Sequence, residues 1–205
     1  MTAQYTDPVV SRTKFDREIA EFRALEPEYR KRGWFLVRAE FPEVLVVLAA
    51  GHVKPAPIVT GVKLTYENYD AEPPSVRLVD PFTSEPYRAK ELPTQLMRVG
   101  GPPGAFPQIV GLPANTPMPM MIQQVQPLMQ AHTPDEVPFL CIAGVREYHE
   151  HPAHTGDSWE LHRATGAGRL VRLLEVIHRY GIAPITGYAV NLVPQVSIDP
   201  GQPQP

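Results

Sequence analysis

The sequence predicts an α+β fold: an N-terminal helix, a four-stranded antiparallel meander, a proline-rich insertion and a C-terminal helix. Three observations carry this. Apolar residues recur at helical spacing near the start and again after residue 168, and between them lie short runs of strand-like pattern. Proline supplies the third, at 25 of 205 residues, against ordinary usage of about 5%. Each proline removes a backbone donor and fixes φ, which excludes a long helical bundle. A hydrophobic content of 43% suffices for a packed core. The length fits one domain with an insertion as well as two small ones.

The first helix is expected over 11–32. Phe15, Ile19 and Phe22 line one face at i, i+4 and i+7. Thr13 with Asp16 resembles a capping signal, and Lys14–Glu18 and Arg17–Glu21 are i,i+4 pairs. Pro27 should end or kink this helix, leaving 29–32 as a separate turn. Phe35, Val37, Ala39 and Phe41 then alternate with more polar neighbours, and 45–48 is apolar on both faces, as in a central strand. Ile58, Val62, Leu64 and Tyr66 share parity in a third, one-sided strand. A short fourth, over 76–79, is closed by Asp80-Pro81. Short connections favour an antiparallel meander.

Nine prolines fall within 100–138. A polyproline-type loop is expected there, with flexible apolar contacts from Met118, Met120, Met121 and Met129 and a short helix near 120–129. The last helix is expected over 168–180, with Leu170, Leu173, Leu174 and Ile177 as its stripe and Gly181 as its C′ residue. A last strand is expected within 185–198, and 201–205 reads as a tail.

A net charge of −3 and a pI near 6.2 argue against nucleic-acid or anionic-membrane partners recognised by bulk charge. The longest apolar stretch, 44–50, is too short to span a bilayer. Residues 1–10 lack the pattern of a signal peptide. The single cysteine, Cys141, excludes an intrachain disulfide. A soluble cytoplasmic protein is expected.

The chemistry-bearing stretch is 139–154, where three of the seven histidines lie within six residues. If the chain is extended there, Cys141, Glu147, His149 and His151 project to one face, and Pro152 turns the chain so that His154 folds back toward them. A thiolate, a carboxylate and imidazoles can satisfy a four-coordinate Zn²⁺. Glu147 and Glu150 compete for the carboxylate role. Equally, the histidines can be solvated and Cys141, between Leu140 and Ile142, an inert core thiol. Asp157 can orient a histidine or cap a helix starting near Trp159. Arg163 is an anion contact or part of a solvated face. Gly166-Ala167-Gly168 is no phosphate loop, since no Lys-Ser/Thr follows.

Tyr69-Asp70-Ala71-Glu72-Pro73-Pro74-Ser75-Val76-Arg77-Leu78 resembles the Tyr-Pro-x-x-Pro-Pro-x-Val-x-Phe signature of ubiquitin-conjugating (E2) enzymes, with Asp70 in place of the first proline. Together with the order helix, meander, proline-bearing segment, cysteine, helix, it implies a UBC/E2-like domain over 11–183, with an insertion at 87–138, a metal/cysteine segment at 139–163 and a C-terminal strand and tail at 184–205. Cys141 then falls where that family has its thioester cysteine. Two departures stand out: no His-Pro-Asn precedes Cys141, so the family's oxyanion-stabilising Asn has no counterpart, and the signature lies unusually far from the cysteine.

The Cys, Glu and His-x-x-His combination is similar to that of a bacterial metal-binding family encoded beside ubiquitin-like proteins, E1-like activators and JAMM peptidases. That resemblance implies Cys141, Glu147, His151 and His154 as ligands, with His149 or Glu150 as substitutes, and a ubiquitin-like protein and an E1-like activator as partners. His149-Glu150-His151-Pro152 with Ser158 also resembles the His-x-His-Pro and distal Ser of JAMM-type zinc isopeptidases, although Leu161 stands where those place an Asp.

Four functions follow. The first is a zinc-binding E2-like component of a bacterial ubiquitin-like conjugation pathway. In the second, Cys141 is the catalytic nucleophile of an E2-type transferase, with His149 or His151 as base. The third is hydrolysis, with Glu147 or Glu150 as base on a zinc-bound water. The fourth is a non-catalytic scaffold without metal.

Overall fold

The computed structural model describes residues 5–99 and 125–190. α1 (Pro8–Ala24) starts where Asp7 accepts the amide of Val9 at 2.8 Å and Pro8 takes the first turn. Asp7, not Thr13, is therefore the cap; the Thr13 hydroxyl donates back to the Val9 carbonyl at 2.8 Å. The break expected at Pro27 falls at Leu25, and the expected separate turn is α2 (Glu26–Lys31), with Pro27 in its first turn. Pro27 lacks a donor and its ring would strike the carbonyl four residues back, so the break falls ahead of it.

β1 (Trp34–Glu40), β2 (Glu43–Ala49), β3 (Ile58–Thr65) and β4 (Ser75–Val79) form one antiparallel sheet in sequential order, the meander the sequence predicts. β2 is central and buried on both faces. In β1 the expected parity fails. Phe35 pairs with Val47 and Leu36 with Val46, but Arg38 pairs with Leu45 and Ala39 with Val44, so Val37 is a bulge. One extra residue flips the faces. Phe35 and Val37 are exposed, whereas Leu36, Ala39 and Phe41 pack against the core.

Beyond the sheet, β5 (Met97–Val99) pairs with β6 (Val125–Pro127), and β7 (Met129–Gln130) pairs with β8 (Phe139–Leu140). The described part of the expected helix near 120–129 is thus strand, and Met118, Met120 and Met121 lie outside the described residues. α3 (Arg146–Glu150), α4 (Trp159–Arg163) and α5 (Leu170–Ile177) follow among the described residues. A π-helical turn over His178–Ile182 extends α5, so Gly181 is inside a turn and is not a C′ residue. No strand occurs in 185–190; the rest of the expected last strand lies outside the described residues.

Both expected apolar faces meet over the sheet. Phe15, Ile19 and Phe22 of α1 join Leu170, Leu173, Leu174 and Ile177 of α5 and the inward side chains of β2, β3 and β4 in one core. Each such side chain stabilises the fold by about 1.5–3 kcal/mol relative to exposure. Phe15 holds Phe41 and Tyr66 edge-on at 5.6 and 5.5 Å. The Lys14–Glu18 pair does not form: Lys14 turns to Asp70, and buried Glu18 accepts the Leu170 amide at 3.0 Å at the start of α5. Among the described residues, no helix is long and apolar enough to cross a membrane.

Candidate functional site: a cysteine–histidine cluster

The loop after β8 determines the site. Cys141 continues the β8 direction, its amide donating to the Leu128 carbonyl at 2.7 Å. Gly144 then reverses the chain with φ +98°, and a Cβ there would stand 2.4 Å from the Ala167 carbonyl. From Arg146 the backbone is helical, so the extended geometry expected for 141–151 does not occur and the parity argument fails beyond the glycine.

Arg146 explains the switch. Its side chain is buried, its guanidinium donates to the carbonyls of Pro73 at 3.2 Å and Glu67 at 2.5 Å, and its amide donates to the Pro74 carbonyl at 3.0 Å. Glu72 lies 3.5 Å from the same guanidinium. The Tyr-x-x-x-Pro-Pro run therefore packs directly on α3. Asp70 gains a role that the proline of the E2 signature could not fill. Its carboxylate pairs with Lys14 and, at 2.9 Å, with Arg163, and its carbonyl accepts Trp159 Nε1 at 2.9 Å. Arg163 is thus an ion-pair partner of Asp70.

The candidate ligands separate into two groups. Cys141 Sγ and His154 Nε2 stand 3.4 Å apart. His154 folds back after Pro152 as expected, and its ring stacks on Tyr148 with centroids 4.0 Å apart. His151 lies beside them, stacked on Phe139 at 4.8 Å and 5.6 Å from the rings of both His132 and His154. Its Nδ1 accepts the Ala153 amide at 3.2 Å, capping a short 3₁₀ turn over Pro152–His154.

Glu147 and His149 are engaged elsewhere. Glu147 accepts from the Ser75 hydroxyl and lies 3.1 Å from Arg77, at the start of β4. His149 Nδ1 donates to the Asp157 carbonyl at 2.8 Å, while Nε2 accepts the Gly144 amide at 3.3 Å. A carbonyl only accepts and an amide only donates, so the proton sits on Nδ1 and neither nitrogen has a free lone pair. Burial also lowers the His149 pKa, which keeps the ring neutral. Glu150 ends α3, its carboxyl pushed up by burial and by Glu147.

The zinc implied by the resemblance therefore does not find its four ligands assembled. Among the described residues, no three His, Cys, Asp or Glu side chains are grouped to hold a metal ion. Cys141 and His154 alone converge.

Asp157 organises the far side of the cluster. It accepts from the Tyr148 hydroxyl and from His162 Nε2, each at 2.5 Å. These two bonds lower its pKa, the Tyr148 bond most, while burial and Asp157 push Tyr148 up to about 12. Ser158, not Asp157, caps α4, its hydroxyl accepting the Glu160 amide at 3.4 Å. Alternation along an extended chain gives no role to Tyr148, His162, His132 or Phe139. The signal for Tyr148 was available only once 146–150 is taken as helical. Burial pushes the Cys141 thiol up, with Arg98 a smaller opposing influence.

Fold and site together define an α+β protein whose four-stranded sheet and covering helices carry a thiol–imidazole pair on a loop braced by a buried arginine. The chain belongs to the Y4jH-like family, whose model matches residues 6–185 and so includes every residue of the cluster. It is 42% identical over 193 residues to the uncharacterized protein y4jH of Sinorhizobium fredii (strain NBRC 101917 / NGR234), covering 92% of this chain and 90% of that one.

Proposed function

We propose that the protein is an E2-like acyl-transfer component of a bacterial ubiquitin-like conjugation pathway, with Cys141 as nucleophile and His154 as its base. The observation that carries it is the 3.4 Å approach of Cys141 Sγ to His154 Nε2. The element order and the packing of the Tyr-x-x-x-Pro-Pro run against α3 support the E2-like part. His154 replaces His149 and His151 as the base, because the nitrogens of His149 are both bonded and His151 faces Phe139 and His132.

Burial disfavours the thiolate of Cys141, so the nucleophile needs a base beside it. When a thioester of the ubiquitin-like carboxyl terminus arrives, the Sγ proton passes to Nε2 and sulfur attacks the carbonyl carbon. A new C–S bond forms at Cys141, the donor C–S bond breaks, and the departing thiolate takes the proton from His154. An acceptor amine then attacks the Cys141 thioester. The C–N bond forms, the C–S bond breaks, and the amine proton returns to Sγ through His154.

Incubation with the cognate E1-like activator, the ubiquitin-like protein and ATP should give an adduct that thiols remove. Cys141→Ala should abolish it and Cys141→Ser should convert it to a thiol-resistant ester. His154→Ala should slow its formation about a hundredfold. A thiol-sensitive adduct on Cys141→Ser would overturn the assignment.

A second function, zinc binding, is favoured by the same distance, because sulfur and nitrogen ligands of one tetrahedral zinc lie about 3.5 Å apart. Cys141 and His154 would be two of its ligands. Metal analysis of the purified protein tests it: about one zinc per chain, lost in His154→Ala, is the expected result.

A further inference from the structure

The Tyr148–Asp157 bond adjoins the thiol–imidazole pair through the His154 ring. Tyr148 presents its ring face to His154, with centroids 4.0 Å apart and planes inclined by 26°. Its hydroxyl is held by Asp157 Oδ2 at 2.5 Å. Asp157 is itself fixed, because Oδ1 accepts His162 Nε2 and its carbonyl accepts His149 Nδ1. His149 in turn takes the amide of Gly144, three residues after Cys141. Asp157 is thus bonded to both sides of the site: through Tyr148 to the imidazole and through His149 to the loop that carries the thiol.

We infer that Asp157 is a positioning residue for the Cys141–His154 pair, acting through Tyr148. This rests on the thiol–imidazole function proposed above. Two physical effects follow from the geometry. The stack restricts the His154 ring to the orientation that aims Nε2 at Sγ, so the base needs no rearrangement before it takes the proton. The imidazolium formed at that moment lies over an aromatic face, which attracts a cation. A hydroxyl donating to a carboxylate enriches that face in electrons, and loss of the bond weakens both effects together. His162 holds the carboxylate in line.

Alkylation of Cys141 by iodoacetamide tests this without any partner protein. The rate is followed from pH 6 to 10 in the full chain, with the melting temperature measured alongside. In His154→Ala the rate should fall at pH 7.5 and rejoin wild type at high pH, where the thiolate forms without a base. Asp157→Asn should show the same form of change, about tenfold slower at pH 7.5 and converging at high pH. Tyr148→Phe keeps the stack and loses the hydroxyl, and should fall between the two profiles of wild type and Asp157→Asn. It also serves if Asp157→Asn does not fold. A purely structural role for Asp157 would lower the melting temperature and leave the profile of the folded fraction superimposable on wild type, which would overturn the inference while leaving the Cys141–His154 pairing intact. If His154→Ala also matches wild type at every pH, the pairing fails and the positioning role fails with it.

Discussion

Glu18 of α1 accepts the amide of Leu170 at the start of α5, at 3.0 Å and across 152 residues of sequence. The residue before Leu170, Arg169, offers no side-chain cap of its own. A carboxylate from another helix therefore does what a local Ser or Asp usually does. The same carboxylate accepts the Tyr69 hydroxyl at 3.4 Å.

Burial raises the pKa of Glu18, and the Leu170 amide opposes the rise. With its folded value above its unfolded one, Glu18 favours the folded state most below the ordinary carboxylate range. That contribution is lost as pH rises through the raised value. Glu18→Gln keeps an acceptor for Leu170 and should flatten this decline in melts between pH 4 and 7. Glu18→Ala leaves the amide without its partner and should cost about 1–3 kcal/mol in urea titrations.

Arg146 should be among the least replaceable side chains. It is 5% exposed and surrounded by the carbonyls of Pro73 and Glu67 and the carboxylate of Glu72. Arg146→Ala leaves buried acceptors and a partner carboxylate uncompensated, at about 3–5 kcal/mol. Arg146→Lys keeps the charge but cannot span the same acceptors, and should recover only part of the loss in the same urea titration.

Asp70 makes its own test of the departure from the E2 signature. Burial alone would raise its pKa, but hydrogen bonds from Lys14 and Arg163 bring it below the usual value. Its pairs therefore stabilise the fold above the ordinary aspartate range, and that stability is lost as pH falls through the depressed value. The groups are partly exposed, so Asp70→Asn should cost about 1 kcal/mol or less at pH 7. The difference from wild type should shrink as the melts are taken below the ordinary aspartate range.

Gly144→Ala should damage fold and site together. The position has φ +98°, and an added Cβ would meet Ala167 carbonyl atoms at 2.4 Å, too close for either backbone to remain in place. A loss of about 1–3 kcal/mol is expected. Because the Gly144 amide holds His149 Nε2, the His149 ring resonances should shift in NMR spectra of any folded fraction.

Much of the fold was legible from residue order because its signals are local. The apolar face of Phe15, Ile19 and Phe22 and that of Leu170, Leu173, Leu174 and Ile177 are set by a period of 3.6. The double-sided burial of β2 is written in a run of aliphatic residues. The first misplacements were at boundaries and irregularities. Asp7 is the cap because its carboxylate accepts the Val9 amide while Pro8 takes the first helical position, and the Val37 bulge has no marker in composition.

The site was legible in part. Cys141 and His154 both stand out in the sequence, and the turn at Pro152 brings them together. Glu147 and His149 were placed beside them by alternation, which holds only in a strand. α3 sends Glu147 to Ser75 and Arg77 and gives His149 to Gly144 and Asp157.

What the sequence determined by itself is the α+β class, the order of the meander, the two apolar helix faces and the identity of the cysteine–histidine segment, since each depends on neighbours a few residues away. Only the tertiary structure decided which of those side chains meet. Five residues after Cys141 the chain turns helical because Arg146 is captured by carbonyls as far as 79 residues away, in the run from Glu67 to Pro74. A change of backbone period at that one buried contact redirects every later side chain. The thiol is left facing His154, and Asp157 is left to hold Tyr148 behind it.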